Sequence, residues 1–385
     1  MKRVSTDRIL TFLEGHRPAM VSLLKELVMI ESPTSSPELQ TPIFQLISQQ
    51  MKGIGYSVCR MPGKETGGYL ISHPEKREKG APIQLLVGHC DTVWPVHTIR
   101  DMPVRIRQGK MKGPGVFDMK AGITQMIFAL KAIAFLGLPL ALTPVLILNS
   151  DEEKGSREST VAIHRLSRIA SRAFVLEPPF GPEGKLKTER KGLGRFTLKI
   201  TGVPAHAGLD PGKGVSAILE LSQQVQRLFS LNDPVKGITV NVGMVEGGTQ
   251  ANIIAPSSSA VIELRVRTAA DGDRMTRKIL GLKPIHPGIR LSVTGGMGRP
   301  PMEKTIRNQR LWLAAKKAGK SLGIDLGEAA AGGGSDGNTT SQYTATLDGL
   351  GTPGDGAHAR YEYILLDKLV ERTALLILLI TMKAL

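Results

Sequence analysis

Pro144-Val145-Leu146-Ile147-Leu148 followed by Asn149-Ser150-Asp151-Glu152-Glu153-Lys154-Gly155 is the stretch on which the reading of this chain turns. The continuous β-branched and leucine run is that of a strand buried on both faces, so three consecutive acids fall at its carboxyl end. Open α/β sheets gather ligands at that end. Neighbouring carboxylates repel unless a cation sits among them, which makes a metal the first thing to look for. The competing account is a solvated acidic turn, and for the acids taken alone it is the commoner explanation, since charged loops are usually surface.

The same arrangement recurs along the chain. Ile83 to Gly88 is a second buried strand, ending at His89-Cys90-Asp91, and Ala173 to Leu176 is a third, ending on Glu177. Gly113-Pro114-Gly115-Val116-Phe117-Asp118 leads into a segment whose apolar residues, Ile123, Met126, Ile127, Leu130 and Ile133, predict an amphipathic helix to about Phe135, with Asp118 at its start. Further expectations are two helices in 5–31 divided by Pro18, a helix from Thr41 to Ile54, short strands in 56–82, and a closing helix over 365–385. Gly332 to Asn338 reads as a flexible loop, with His358 beyond it.

From Arg195 the pattern changes. Phe196, Leu198 and Ile200 alternate with Thr197, Lys199 and Thr201, as in a half-exposed strand. The elements that follow, up to Val293, run βαββαβ, the order of a ferredoxin-like α+β sandwich. The expected organisation is α/β: a catalytic domain with a central mixed sheet flanked by helices, built from residues 1–190 and 299–385, with an inserted domain over 191–298.

Composition narrows the function. With 41% hydrophobic and 22% charged residues and 43 glycines, the 385-residue chain is globular and long enough for about two domains. The net charge of +16 admits acidic partners. Its densest basic patch, Lys185, Lys187, Arg190, Lys191 and Arg195, is not interleaved with aromatics, which are only 4% of the chain, and this argues against a nucleic-acid platform. Cys59 and Cys90 make neither a disulfide framework nor a cysteine metal motif. The first 20 residues lack the apolar core of a signal peptide. Ala374 to Met382, the longest apolar run, is about half the ~20 residues of a bilayer span. The expectation is a cytoplasmic protein without membrane attachment.

His89, Asp118, Glu153, Glu177 and His358 thus supply imidazoles and carboxylates from separate strand and loop ends, a mixture that suits zinc or cobalt better than the all-oxygen cages of magnesium or calcium. The motifs Gly88-His89-Cys90-Asp91, Gly115-Val116-Phe117-Asp118-Met119-Lys120, Asp151-Glu152-Glu153, Leu176-Glu177-Pro178 and Gly356-Ala357-His358 stand in the order found in the co-catalytic zinc metallopeptidases that include glutamate carboxypeptidase, aminoacylase, acetylornithine deacetylase and succinyl-diaminopimelate desuccinylase. The chain resembles that family over nearly its whole length.

The resemblance implies two Zn2+ ions per subunit, with Co2+ or Mn2+ as possible substitutes. Asp118 would be shared between them, His89 and Glu177 would complete one site and Glu153 and His358 the other. Glu152 would be the general base and Asp91 the partner of the His89 imidazole. His206 would reach the neighbouring subunit's site and stabilise the oxyanion, which implies a homodimer through the inserted domain. Asn252 and Arg265 would contact substrate. Lys185 and Arg299 resemble the basic pair that holds the carboxylates of a C-terminal glutamate, and Gly333 and Gly334 would offer backbone N–H groups to a carboxylate. Without the resemblance, His206 is a loop histidine, Arg265 a strand surface residue, Lys185 and Arg299 solvated cations and the glycines a hinge. The expected activity is exopeptidase cleavage of a C-terminal acidic residue. An N-acyl-amino-acid deacylase is the alternative, and a non-catalytic basic binding protein on the same scaffold a more distant one, against which the intact Glu152 argues.

Overall fold

Three of the strands whose ends carry the acids lie side by side. In the computed structural model, which describes residues 6–383, Thr143–Asn149, Ile83–His89 and Ala170–Val175 are adjacent parallel strands. Their register pairs His89 with Asn149 and Val87 with Val175, so His89, the 150–153 turn and Glu177 emerge at one edge. Ile83–His89 is buried throughout, as its unbroken apolar run requires. The full sheet has six strands in the order Tyr56–Met61, Tyr69–Pro74, Thr143–Asn149, Ile83–His89, Ala170–Val175 and Ala345–Leu347, the first two antiparallel to their neighbours.

Two compact units account for the chain. One comprises residues 1–188, 304–331 and 335–385, the other 189–303 with 332–334. In the first unit, the helix Ala121–Phe135 packs against Thr6–Met29 and Leu366–Thr381. It is buried almost all round, not on one face as its periodicity predicts. Its two buried polar residues are satisfied inside: Thr124 donates to the Lys120 carbonyl and Gln125 to that of Leu350. Thr6–Met29 is a single helix running through Pro18, not two. Pro18 is on the exposed side, so the carbonyl it leaves without an N–H partner meets water, while Phe12, Leu13, Met20 and Leu24 keep one apolar stripe on either side of it. The start of the first helix at residue 5 and the end of the last at 384–385 lie outside the described residues.

In the second unit four strands pair antiparallel in the order Thr239–Gly247, Ser257–Val266, Gly192–Thr201 and Arg290–Arg299. The helices Ala217–Phe229 and Ala269–Leu280 connect them in the ferredoxin-like order. Phe196, Leu198, Ile200, Ile262 and Leu264 face Leu221, Met275 and Ile279 in its core. Ser216 and Thr268 cap the two helices, each accepting from a first-turn N–H. Among the described residues no helix is long and apolar enough to cross a membrane.

Candidate active site

Asp118 is at the centre of the strand-end cluster. Its Oδ1 lies 3.1 Å from His89 Nε2, which is 3.4 Å from Glu177 Oε1. Its Oδ2 lies 3.4 Å from His358 Nε2, which is 3.1 Å from Glu153 Oε2. One carboxylate therefore turns an oxygen to each of two imidazole–carboxylate pairs. Two groups have the spacing of a metal site, with ligand atoms all within 4.8 Å of one another: His89 with Glu152 and Glu177, and His89 with Asp118 and Glu153.

The positions are set from behind. Asp91, fully buried, lies 3.3 Å through Oδ1 from His89 Nδ1, and its Oδ2 accepts from the Thr34 hydroxyl at 2.8 Å. The same carboxylate accepts from the backbone N–H of Glu152 at 3.3 Å and of Glu153 at 3.2 Å. Asp91 thus orients an imidazole and the turn that bears the two glutamates together. Asp151 points elsewhere. It accepts from the N–H groups of Glu158 and Ser159 and from the Ser159 hydroxyl, just before the helix Thr160–Ile169.

Sequence reasoning missed Glu362. Its buried carboxylate accepts from the backbone N–H groups of Gly115, Phe117 and Asp118 and from the Trp94 indole. Nothing in the side-chain pattern around it signals backbone partners.

The electrostatics are those of an excess of carboxylate. Burial opposes the charged form of His89, but its contacts with Asp118, Asp91 and Glu177 outweigh that and hold its pKa well above the usual imidazole value. Contacts with Asp118 and Glu153 raise His358 to about 10. Burial works against the Asp118 anion, yet the two histidines bring its pKa far below the ordinary range. Burial, with the nearby Asp118 charge adding to it, raises Glu153 although His358 pulls the other way. Carboxylates outnumbering imidazoles around one point is the donor chemistry of a site for divalent cations, which would take the place of the protons on the rings, and the residues present fit such ions.

The remaining predicted residues do not belong to this cluster. Lys185, in the first unit, is half exposed and lies 3.4 Å from Glu183. The others are in the second unit. His206 and Asn252 are exposed and sit on paired segments, since Ala207 N–H donates to the Asn252 carbonyl and Ile254 N–H to that of Ala205. His206 Nδ1 accepts from the N–H groups of Gly208 and Leu209, both at 3.1 Å. The neutral ring then carries its proton on Nε2. Arg265 bonds to Glu263 Oε1 and to the Gly332 carbonyl, and Arg190 to those of Gly333 and Gly334. The glycine loop is thereby tethered through its carbonyls. It does not stay irregular beyond residue 334: Ser335 caps a short helix, Asp336–Thr340, where a flexible loop was expected, because the Ser335 hydroxyl and the Asn338 side chain satisfy its first N–H groups. Arg299 ends the strand Arg290–Arg299 opposite Leu193.

A strand-end cluster of two imidazoles and several carboxylates on a mixed sheet, in a chain that also carries an inserted α+β unit, defines a metal-dependent hydrolase. Residues 85–382 match the model of peptidase family M20/M25/M40, and the chain belongs to that family. It is 28% identical to carboxypeptidase G2 of Pseudomonas sp. (strain RS-16) over 362 residues, 90% of this chain and 85% of the relative. Among solved structures it resembles the aminopeptidase PepT of Bacillus cereus, with TM-score 0.78 and 22% identity over 95% of this chain and 98% of that one. A dinuclear metal-binding peptidase of Bacillus subtilis from the M20 family superposes with TM-score 0.69 and 16% identity over 96% and 98% of the two chains.

Proposed function

We propose that the chain is a carboxypeptidase-type exopeptidase that releases a C-terminal acidic residue, working as a homodimer with two zinc ions per subunit. The observation that carries the metal reading is the Asp118 carboxylate, with one oxygen toward His89 and Glu177 and the other toward His358 and Glu153. These five residues would hold the ions, which when bound polarise the scissile carbonyl and lower the pKa of water. Glu152 lies beside them on a turn fixed by Asp91, and takes the proton of the attacking water and returns it to the leaving amine. Asp91 keeps the His89 ring oriented so that Nε2 faces Asp118.

His206 fits the part of an oxyanion donor. Two backbone N–H groups occupy Nδ1, so Nε2–H is the hydrogen available to a developing negative charge. The second unit also ends in an exposed edge strand, Thr239–Gly247, with Met244 and Val245 outward and Ile218 and Leu219 exposed on the helix Ala217–Phe229. Such an edge asks for cover, and a second copy of the chain supplies it in our reading. We assign the substrate's carboxylates to Lys185, Arg299 and the N–H groups of Gly333 and Gly334, and further substrate contacts to Asn252 and Arg265. The support for an acidic substrate is the similarity to carboxypeptidase G2 and the chain's net charge of +16.

One experiment decides the substrate class: the zinc-loaded and the chelated protein are assayed against peptides ending in glutamate and against N-acyl amino acids. Chelator-sensitive release of glutamate is expected. Turnover of the acyl amino acids alone replaces this reading with a deacylase, and equal rates with and without chelator remove the metal from it.

A further inference from the structure

Glu362 follows His358 by four residues and nothing in the proposed chemistry uses it. Its side chain is 1% exposed, and its two oxygens are shared evenly among four N–H donors. Oε2 accepts from Trp94 Nε1 at 3.0 Å and from Gly115 N at 2.9 Å; Oε1 accepts from Phe117 N at 2.9 Å and Asp118 N at 3.1 Å. Three of these donors are backbone groups of the turn that presents Asp118. Convergent N–H groups of this kind form a concave anion site, and here the chain fills it with its own carboxylate.

The other end of the same residue is bound into the His358 segment. Glu362 N–H donates to the Ala359 carbonyl at 3.0 Å, and Gly356 lies so close that a Cβ there would come 2.9 Å from the Glu362 Cα and backbone N. Gly356 has φ of 84°, in the left-handed region where glycine is favoured, so the segment closes tightly on Glu362. One residue therefore joins the turn carrying Asp118 to the loop carrying His358. Asp118 is the group least tolerant of rotation, because it must present both oxygens at once, one to each imidazole–carboxylate pair.

We propose that Glu362 is the positioning residue that fixes the Asp118 carboxylate between its two pairs, so that its loss weakens the binding of divalent cations and not merely the fold. This rests on the reading of Asp118 as a ligand shared by two ions. Glu362→Gln keeps the shape but turns an amide NH2 toward two of the four donors. Trp94→Phe is the control, removing the one donor that lies outside the Asp118 turn.

The test is zinc titration of the metal-free full-length protein in competition with a chromophoric chelator, beside thermal unfolding of the same samples. The wild type is expected to take up two equivalents, and Glu362→Gln to bind at least one of them weaker by about tenfold or more, the scale of lost partners behind metal ligands. Trp94→Phe is expected to unfold at lower temperature with its zinc affinity kept within about twofold, well inside that scale. Wild-type zinc affinity in Glu362→Gln overturns the proposal, as does an equal loss in Trp94→Phe, which would make the effect one of packing. If Glu362→Gln does not fold, Glu362→Asp is titrated instead: its shorter reach should also cost affinity, and unchanged affinity overturns the proposal. A wild type that binds fewer than two equivalents removes the shared-ligand reading beneath it, whatever the variants do.

Discussion

Each unit buries a glutamate among backbone N–H groups, and the two differ in what those groups hold. In the second unit Glu220, fully buried, accepts from the N–H groups of Ile285 and His286, from His286 Nδ1 and from the Gln224 amide. Its partners end there: the contacts tie the loop after one helix to the face of the other. In the first unit Glu362 grips the turn of Asp118, whose own oxygens face further charged groups. A buried carboxylate saturated with donors is therefore no sign of function by itself. Function shows where the groups it fixes converge on a common point with more anions than cations.

The sharpest way to set the two units against each other is to disable each separately. Glu152→Gln is expected to lower kcat by roughly 10²–10⁴-fold with zinc content unchanged, as loss of a general base does. His206→Ala should lower it by about 10²–10³-fold, the scale of one oxyanion donor. If each protomer's His206 serves its partner, mixing the two variants under subunit exchange restores activity that neither has alone. Steady-state kinetics and zinc analysis of the mixture check this; no recovery means that His206 acts within its own chain or not at all, and loss of zinc from Glu152→Gln moves Glu152 among the ligands. Next in size, Asp91→Ala should weaken zinc binding by roughly 10–100-fold, since it removes the carboxylate beside His89 and the acceptor of the Glu152 turn, although the carbonyl of residue 91 still meets His89 Nδ1 at 3.1 Å. An unchanged affinity by chelator competition would show that His89 and the turn hold their places without it.

Why the cluster was legible and its support was not follows from what each is made of. His89, the 151–153 acids and Glu177 each follow a continuous apolar run, and parallel strands in register bring such ends together by geometry. Asp118 and His358 carry no such run: Asp118 stands at the start of a helical pattern and His358 beyond a glycine-rich loop, and the resemblance of their motifs is what gives them their parts as ligands. Glu362 sits between Tyr361 and Tyr363 with no apolar run to place it, and three of its four donors are backbone groups more than 240 residues away. Periodicity also misled at Ala121–Phe135: apolar residues at intervals of three and four mark one face, but the polar Thr124 and Gln125 are buried as well because each finds a carbonyl. The second unit was read more directly, since a sheet with one covered face writes its burial as strict alternation, as Gly192–Thr201 shows.

Gly122 tests how tightly the first unit is built around its strand ends. A Cβ there would collide with the carbonyl oxygen of Leu176, the residue before Glu177. Gly122→Ala must push the helix Ala121–Phe135 away from that strand end, at a cost of about 1–3 kcal/mol. Urea unfolding should show the loss; a midpoint equal to wild type would mean that the helix start and the strand end give way easily.

The smallest effect is expected at Glu220, and it carries the contrast between the units into pH. Burial opposes the Glu220 anion, but hydrogen bonds from Gln224, His286 and the backbone of 285–286 win and lower its pKa below the ordinary glutamate value of 4.5. A carboxyl whose folded pKa is depressed contributes stability that is present above its unfolded pKa and is lost as pH falls through the folded one. The difference in urea midpoint between wild type and Glu220→Gln should therefore be constant from neutral pH down to about 4.5 and shrink below it. Glu362 shifts the other way, since burial outweighs its backbone donors and brings it up to about 7. In metal-free protein wild type should lose stability relative to Glu362→Gln as pH rises from about 4.5 to about 7, where the Glu220 pair is flat. Two flat profiles over that range would show that burial costs Glu362 no more than Glu220, and that the Asp118 turn holds a carboxylate as readily as the loop at 285–286 does.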